Sequence, residues 1–317
     1  MKIKKLIAAP LVALSFALAL TACSTGTPGG NSTPSGTSGG TFNSGNSAYD
    51  AIINSGAVAD QATVDANQWA KSIKAAGVLR VGGSQTSTLF SLLNPTTNVV
   101  VGFDAGLSQL LARYIIGDAK TNLTLVTSST REQVLTSNTV DAVFATYSIT
   151  AARMQQIDFA GPYYSSQAGI LVQSTNTAIN GVADLAGKKV ATQQGSTGVA
   201  LLAQEAPQAT VVQLPDNASC LAALQQGQVD AYVIDESILL NSLVTNNDVK
   251  LAGDPFGPND NYGIGLPKGS DAEAFVNAWL QQIVSDGTWL KLWQATIQTM
   301  TNTTQVPTPP AIGSAGN

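Results

Sequence analysis

The amino-acid sequence predicts an α/β fold of two lobes with a central cleft. Short apolar runs with the features of buried strands alternate with amphipathic segments, a pattern typical of βαβ units and a mainly parallel sheet. The alternation occurs twice, over residues 78–167 and 168–262, and the chain then returns to the first unit through residues 263–300. Two lobes joined by two crossover strands form a cleft, and clefts of this kind are the usual site for small ligands.

The first 22 residues have the features of an export signal. Lysines within residues 2–5 precede an apolar run, residues 6–20, that is too short to cross a bilayer comfortably. Residues 20–23 then read Leu-Thr-Ala-Cys, which resembles the bacterial lipoprotein signal, in which the cysteine is lipidated and becomes the first mature residue. We therefore expect an extracytoplasmic protein anchored to the cell membrane through Cys23. An ordinary secretory signal with an incidental cysteine is the alternative.

Three further segments lie outside the two α/β units. Residues 23–47 are mostly Gly, Ser, Thr, Asn and Pro, a composition that predicts a flexible tether. Residues 48–77 have apolar positions at loosely helical spacing and end at Gly77, so we expect an N-terminal extension of one or two helices with this glycine as C-cap. Residues 301–317 are rich in Pro, Thr and Gly and predict a disordered tail.

Composition excludes several classes of function. The chain contains no histidine, which removes Ser-His-Asp and Cys-His catalysis and the commonest zinc ligand sets, so we expect neither a metal nor a cofactor. A net charge of −5 argues against nucleic acid as a partner. After export only Cys220 remains besides Cys23, and its apolar neighbours at helical spacing predict a buried, inert thiol.

The first unit is expected to begin with a strand and to contain three helices. In order, its predicted elements are a strand at 78–81, an irregular loop at 82–98, a helix after 102–104, a strand at 123–126, a helix at 131–137, a strand at 142–145 and a short helix at 151–156. Apolar spacing predicts the helices, and short apolar runs predict the strands.

The second unit repeats the alternation and is followed by a return to the first. Its predicted elements are an extended segment at 168–173, a short helix at 182–185, strands at 188–191, 211–214 and 231–234, and helices at 199–204 and 218–226. The return comprises a strand at 262–266 and a helical stretch at 271–298.

Hydroxyl groups and an arginine follow the strand predicted at 142–145. Three hydroxyl-bearing residues come directly after it, namely Thr146, Tyr147 and Ser148. Thr150 is expected to cap the following short helix, which contains Arg153. Ligands of open α/β sheets bind at strand ends, and an arginine without an acidic neighbour on either side suits a ligand carboxylate.

The order of several motifs resembles that of a known family. These motifs are GFD at 102–104, SIT-x-x-R at 148–153, QGST at 194–197, QGQVDA at 226–231, YGIGL at 262–266 and DGTWLKL at 286–292. The chain resembles the extracellular solute-binding proteins of family 3, and ATYSI, AGPYY, ASCLAAL and YGIGL are most similar to glutamate-binding members of actinobacteria. The resemblance implies a type II periplasmic-binding-protein-like fold whose two crossovers act as a hinge. It also implies a monomer that delivers a polar amino acid to an ABC permease.

The resemblance also implies which residues hold the backbone groups of the ligand. Arg153 matches the arginine that binds the α-carboxylate, and Ser196 and Thr197 match the loop that meets the same carboxylate at a helix N-terminus. Asp235 matches the residue that accepts the ligand ammonium. The carbonyl of Tyr147 and the hydroxyl of Ser148 would complete the ammonium site.

The side chain of the ligand is left open by the sequence. Phe90 matches a position that walls the cleft, and Ser87 stands where many members carry a stacking aromatic, which argues against a large aromatic ligand. Glutamate is favoured and aspartate is possible, with Arg131 as the candidate for the second cation that a dicarboxylate needs. If Arg131 is a solvated helix residue instead, glutamine or asparagine is favoured, bound through Gln85, Thr86 or Ser87.

A binding protein without catalytic activity is therefore the leading hypothesis. A ligand sensor that contacts a membrane receptor is an alternative. A third possibility is a dehydratase of cyclic acids on the same fold, for which Glu132 or Glu236 would have to act as general acid or base.

Overall fold

The computed structural model of the chain describes residues 41–313. The predicted export signal, Cys23 and the tether up to residue 40 lie outside the described residues, as do the last four residues of the predicted tail. None of the helices within 41–313 combines the length and the hydropathy that a membrane crossing would require.

The strands and helices alternate as the sequence predicts. The strands are Leu79–Gly83 (β1), Thr86–Ser87 (β2), Ser91–Asn94 (β3), Val99–Val101 (β4), Thr121–Leu125 (β5), Ala142–Val143 (β6), Asp158–Gln173 (β7), Lys189–Gln193 (β8), Thr210–Leu214 (β9), Ala231–Asp235 (β10), Val249–Leu251 (β11) and Phe256–Leu266 (β12). The helices are Ser47–Ser55 (α1), Gln61–Asp65 (α2), Gln68–Ala76 (α3), Phe103–Ile116 (α4), Arg131–Thr136 (α5), Ala151–Met154 (α6), Thr197–Glu205 (α7), Asn217–Gln225 (α8), Glu236–Leu243 (α9), Ala272–Ser285 (α10), Thr288–Trp293 (α11) and Thr299–Thr301 (α12). A 3₁₀ turn at Val182–Leu185 and a π-helical turn at Gln294–Gln298 complete the regular structure of this range.

One nine-stranded sheet runs through both lobes in the order β5-β1-β6-β12-β7-β10-β8-β9, with β11 paired to β7. Strands β5, β1 and β6 are parallel, as are β10, β8 and β9. The long strands β7 and β12 pair antiparallel at the centre and connect the two parallel parts. We call the part around β1, β5 and β6 the first lobe and the part around β8, β9 and β10 the second lobe. The predicted two-lobed α/β architecture with two crossover strands is confirmed.

Several elements differ from the sequence prediction, for instance β7 and β12, which begin earlier than expected, and β4 and β11, which were not predicted. Residues 82–98, expected to be irregular, contain β2 and β3 of a separate three-stranded antiparallel sheet. Their Ser, Thr and Asn residues lack the apolar alternation that identifies a strand. Helix α9 was not predicted because it begins directly after β10, with no intervening turn residue. The helical stretch expected at 271–298 is interrupted at Gly287, which adopts a left-handed φ of 80°.

Both ends of the folded body extend further than the composition predicts. The backbone N–H and the hydroxyl of Ser44 donate to Asp50 Oδ1 at 2.8 and 2.6 Å, so the expected tether ends before residue 44. The N-terminal extension has three helices rather than one or two, and α3 ends at Gly77 as predicted. At the other end the N–H of Gly313 donates to Gly161 O at 2.7 Å. This part of the expected disordered tail therefore contacts the folded body.

Each lobe is built around its own apolar cluster. The first lobe buries three tryptophans of the C-terminal helices, namely Trp279, Trp289 and Trp293. The second lobe has apolar clusters on both faces of its strands, and one of them contains Cys220. Burial raises the pKa of this thiol to about 12, so the predicted buried and unreactive state agrees with its surroundings.

Candidate functional site

A cavity of about 450 Å³ lies between the two lobes. On the side of the first lobe it is lined by the segment around β2 and by the ends of β5 and β6, including the predicted residues Ser87, Phe90 and Thr146. On the side of the second lobe it is lined by Gln193 and by residues of α8 and α9. Strand ends of both lobes therefore meet at one site, as the sequence predicts.

Arg153 joins the two lobes and is not among the residues that line the cavity. Thr150 caps α6 as predicted, because its Oγ1 accepts from the N–H of Arg153. The guanidinium donates through Nη1 to Ser148 O at 2.6 Å and through Nη2 to Gly195 O in the second lobe at 2.8 Å. Its Nε lies 3.4 Å from Glu132 Oε1. The arginine thus has an acidic partner that is distant in sequence.

The loop before α7 lies directly against the first lobe. Gly195 has a φ of 77°, and a Cβ built on it would lie 2.8 Å from Ser129 Cα and 2.9 Å from Ser128 O of the first lobe. Beside it, Ser128 Oγ donates to Gln193 Oε1 at 3.2 Å. The backbones of the two lobes are therefore in direct contact here.

The predicted hydroxyls of this loop are bonded within the protein. Ser196 is the N-cap residue of α7, and its Oγ donates to Gln193 O at 2.7 Å. Thr197 Oγ1 donates to Asp260 Oδ2 at 2.7 Å, which ties the start of α7 to the crossover strand β12. The arrangement places both residues opposite the first lobe, at the N-terminus of a nine-residue helix.

Asp235 is buried at the end of β10. Tyr262 donates its hydroxyl to Asp235 Oδ2 at 2.5 Å and also contacts Ser237 Oγ at 2.8 Å. Burial, followed by the nearby charge of Asp260, raises the pKa of the Asp235 carboxyl to about 8. Within residues 41–313 no lysine or arginine forms an ion pair with it. A cation placed here would relieve the cost of ionising this carboxyl.

The backbone near Tyr147 and Ser148 is already used by the protein. The carbonyl of Tyr147 accepts from the N–H of Gly263 at 2.9 Å, and the carbonyl of Ser148 accepts from Arg153. The Tyr147 ring has the guanidinium carbons of Arg131 and Arg153 at 4.0 and 5.2 Å from its centroid. A ligand ammonium at the Tyr147 carbonyl would therefore share an oxygen that already accepts one bond.

Arg131 occupies neither of the two positions that the sequence suggested. Its side chain is not solvated, since the residue is only 2% exposed, and it is not among the residues that line the cavity. Its Nη1 donates to Ala145 O at 2.9 Å, behind the cleft wall. Burial, followed by the charge of Arg153, lowers the pKa of this guanidinium to about 10.

Several polar residues that line the cavity were missed at the level of sequence, among them Asn241 and Asp104. Asn241 of α9 lines the cavity, and its Oδ1 accepts from the N–H of Leu89 at 2.7 Å and from Ser87 Oγ at 3.1 Å. Asp104 of the GFD motif also lines the cavity and accepts from the N–H of Thr146 at 2.8 Å. Asp104 could have been identified from its position at the start of a predicted helix. Asn241 could not, because α9 was not predicted.

Residues 79–298 match the model of the bacterial extracellular solute-binding proteins, family 3. The glutamine-binding protein GlnH of a Bacillus subtilis ABC transporter is 35% identical over 222 residues, which cover 69% of this chain and 81% of the relative. The glutamate-binding protein GluB of Corynebacterium glutamicum is 30% identical over 232 residues, covering 68% and 77%. Among solved structures, an ancestral amino acid-binding protein, a precursor of cyclohexadienyl dehydratase, has a TM-score of 0.64 at 27% identity and covers 72% of this chain and 98% of its own.

Proposed function

The chain belongs to the bacterial extracellular solute-binding proteins of family 3, and from that premise we propose that it binds a polar amino acid between its lobes for an ABC importer. The observation that carries the proposal is a pair of charged side chains, those of Arg153 and Asp235, which belong to the two lobes and are not themselves among the residues that line the cavity. Arg153 offers a guanidinium to a carboxylate where the lobes meet, and Asp235 offers a buried carboxyl that has no ion-pair partner within residues 41–313. An α-amino acid carries both complementary charges on one carbon atom. The named relatives, which bind glutamine or glutamate, support the same class of ligand.

The lining of the cavity favours glutamine over glutamate. The charged residues that line it are Asp104 and Asp216, both acidic, and Arg131 lies behind the wall. Its other polar lining is neutral and includes Gln85, Thr86, Ser87, Gln193, Asn217 and Asn241. A second ligand carboxylate would be desolvated here without a cation, whereas an amide can exchange hydrogen bonds with these groups. This choice reverses the preference for glutamate that the sequence suggested.

A thermal-shift screen against the twenty amino acids tests the proposal on residues 24–317. Glutamine at a hundred times its dissociation constant is expected to add about 2.7 kcal/mol to the free energy of unfolding. Glutamate is expected to need a higher concentration for the same shift in Tm. A shift in Tm at a lower concentration of glutamate than of glutamine would overturn the choice of glutamine. The absence of a shift with every amino acid would overturn the proposed function itself.

The affinity for glutamine is expected to rise with pH between 6 and 8. The Asp235 carboxyl has a pKa raised from 3.8 to about 8, so it is mostly neutral at pH 6 and must lose its proton to accept an ammonium. The dissociation constant should therefore increase by up to about tenfold for each pH unit below 7. Calorimetric titrations in two buffers of different ionisation enthalpy should detect about one proton released per ligand at pH 6. A dissociation constant that does not change from pH 6 to 8 would exclude this role for Asp235.

We also propose that the mature protein is held at the outer face of the membrane by lipid on Cys23. The support is the sequence of the first 23 residues alone. The substitution Cys23→Ser is expected to move the protein from the membrane fraction to the medium or the soluble extract. Persistence in the membrane fraction would contradict lipid anchoring at this residue.

The alternative of a dehydratase on the same fold has less support than binding, although burial raises the pKa of Glu236, one of the two acids considered for that role. The other acid, Glu132, has its carboxylate 3.4 Å from Arg153 Nε. The two named relatives are binding proteins, which also supports binding without catalysis.

A further inference from the structure

One peptide unit of the cleft wall is held from both sides by opposite charges. The carbonyl of Ala145 accepts from Arg131 Nη1 at 2.9 Å. The N–H of Thr146, which belongs to the same peptide unit, donates to Asp104 Oδ2 at 2.8 Å. In a trans peptide these two groups point in opposite directions, so the guanidinium and the carboxylate together fix the orientation of the plane.

The backbone at this peptide is in a conformation that threonine rarely adopts. Thr146 has a φ of 42°, in the left-handed region. That region is unfavourable for a β-branched residue and persists only where the surroundings hold it in place. The two charge-assisted hydrogen bonds on the preceding peptide provide such a restraint.

The burial of Arg131 also calls for an explanation. Within the described range this guanidinium has no carboxylate within ion-pair distance, and its buried Nε has no hydrogen-bond partner. Burying a cation in this way is costly, so packing alone does not account for its position. Its hydrogen bonds go to the carbonyl of Ala145 and, at 3.4 Å, to that of Thr146. The shorter of these bonds goes to the Ala145–Thr146 peptide and the longer to the peptide that follows it, and the guanidinium also lies over the Tyr147 ring.

Asp104 is anchored to a different part of the molecule. Its Oδ1 accepts from the hydroxyl of Tyr163 at 2.8 Å, and Tyr163 belongs to the crossover strand β7. Asp104 is only 1% exposed, so its carboxylate holds the Thr146 N–H from a fixed position.

We propose that Arg131 and Asp104 are positioning residues that lock the Ala145–Thr146 peptide and thereby shape the wall against which the ligand binds. This inference rests on the proposed function. Ala145 and Thr146 both line the cavity, and the chain continues directly to Tyr147 and Ser148. Rotation of the locked peptide would point the Ala145 carbonyl at the Asp104 carboxylate and shift the backbone that follows. Arg131 acts on the ligand through this peptide and not by direct contact.

The test compares two substitutions of Thr146 in an Arg131→Met background. The methionine retains an unbranched apolar side chain beside the Tyr147 ring and removes the donors, so glutamine affinity is expected to fall about tenfold. Thr146→Gly should remove the strain, and the double variant R131M/T146G should bind within about threefold of T146G alone. Thr146→Ala also removes the hydroxyl but keeps a Cβ, so R131M/T146A should bind glutamine more weakly than T146A.

Arg113→Met is the control for loss of an arginine, since Arg113 donates to Gly56 O and does not line the cavity.

Amide hydrogen exchange at residue 146 provides a readout that needs no ligand. Protection is expected to fall in R131M and to be regained in R131M/T146G. Equal behaviour of the Gly and Ala double variants, or unchanged protection in R131M, would overturn the lock. If R131M lost glutamate binding but kept glutamine binding, Arg131 would be a direct partner of the ligand, and this result would also overturn the lock. If the wild type binds no amino acid, the proposed function fails while the exchange measurement still decides the lock.

Discussion

Replacement of Arg153 by alanine is expected to lower the affinity for glutamine by at least about a hundredfold. The substitution removes the cation proposed to bind the α-carboxylate, which would then be desolvated without a partner. It also removes the hydrogen bond from Arg153 Nη2 to Gly195 O, which connects the lobes, and the bond to Ser148 O. Both losses act in the same direction. Isothermal titration with glutamine at pH 8 measures the effect.

Two further arginine substitutions show whether the loss is specific. Arg153→Lys retains the positive charge, but the lysine ammonium lacks the planar fork that reaches the carbonyls of both lobes. The affinity of this variant for glutamine should lie between those of the wild type and Arg153→Ala. Arg80→Ala removes an arginine that pairs with Asp141, and its side chain is 40% exposed. This variant should bind as the wild type does. Wild-type affinity in Arg153→Ala would show that the carboxylate binds elsewhere.

The strands and helices that carry the site could be predicted because their local patterns are strong. A run of apolar residues precedes Thr146, a threonine caps the helix of Arg153, and Gly77 ends α3 in the left-handed conformation. These signals lie within a few residues of the feature that they predict. The order of motifs then identified the family, which residues 79–298 match.

The partners of the charged residues could not be predicted in the same way. Arg153 bonds to Gly195, 42 positions away, and its acidic neighbour Glu132 belongs to another helix. Arg131 stands at the start of a short polar helix, where nothing in its neighbourhood indicates that the guanidinium is buried. Which side of a short helix faces the protein depends on the packing of the rest of the chain. The preference for glutamate depended on whether this side chain reaches the cleft, as well as on the resemblance to glutamate-binding members, and no local signal decides the first of these.

The contact at Gly195 leads to the second large effect. Gly195→Ala is expected to lower the affinity for glutamine at least about tenfold, because the new Cβ would lie 2.8 Å from Ser129 Cα and 2.9 Å from Ser128 O. Both atoms belong to the backbone of the first lobe, which cannot move aside as a flexible side chain can. The lobes must therefore separate at this point. Small-angle X-ray scattering with saturating glutamine should give a larger radius of gyration than that of the wild type.

Gly187→Ala separates this clash from backbone strain. Gly187 has a φ of 72°, close to the 77° of Gly195, but a Cβ there would meet nothing within 4 Å. An alanine in the left-handed conformation is unfavourable by about 1–2 kcal/mol, so both variants should lose a similar part of the free energy of unfolding. Only Gly195→Ala should lose affinity and fail to reach the compact form. If the two variants bind glutamine equally well, the approach of the lobes at Gly195 is not required for binding, and closure must be completed by other contacts.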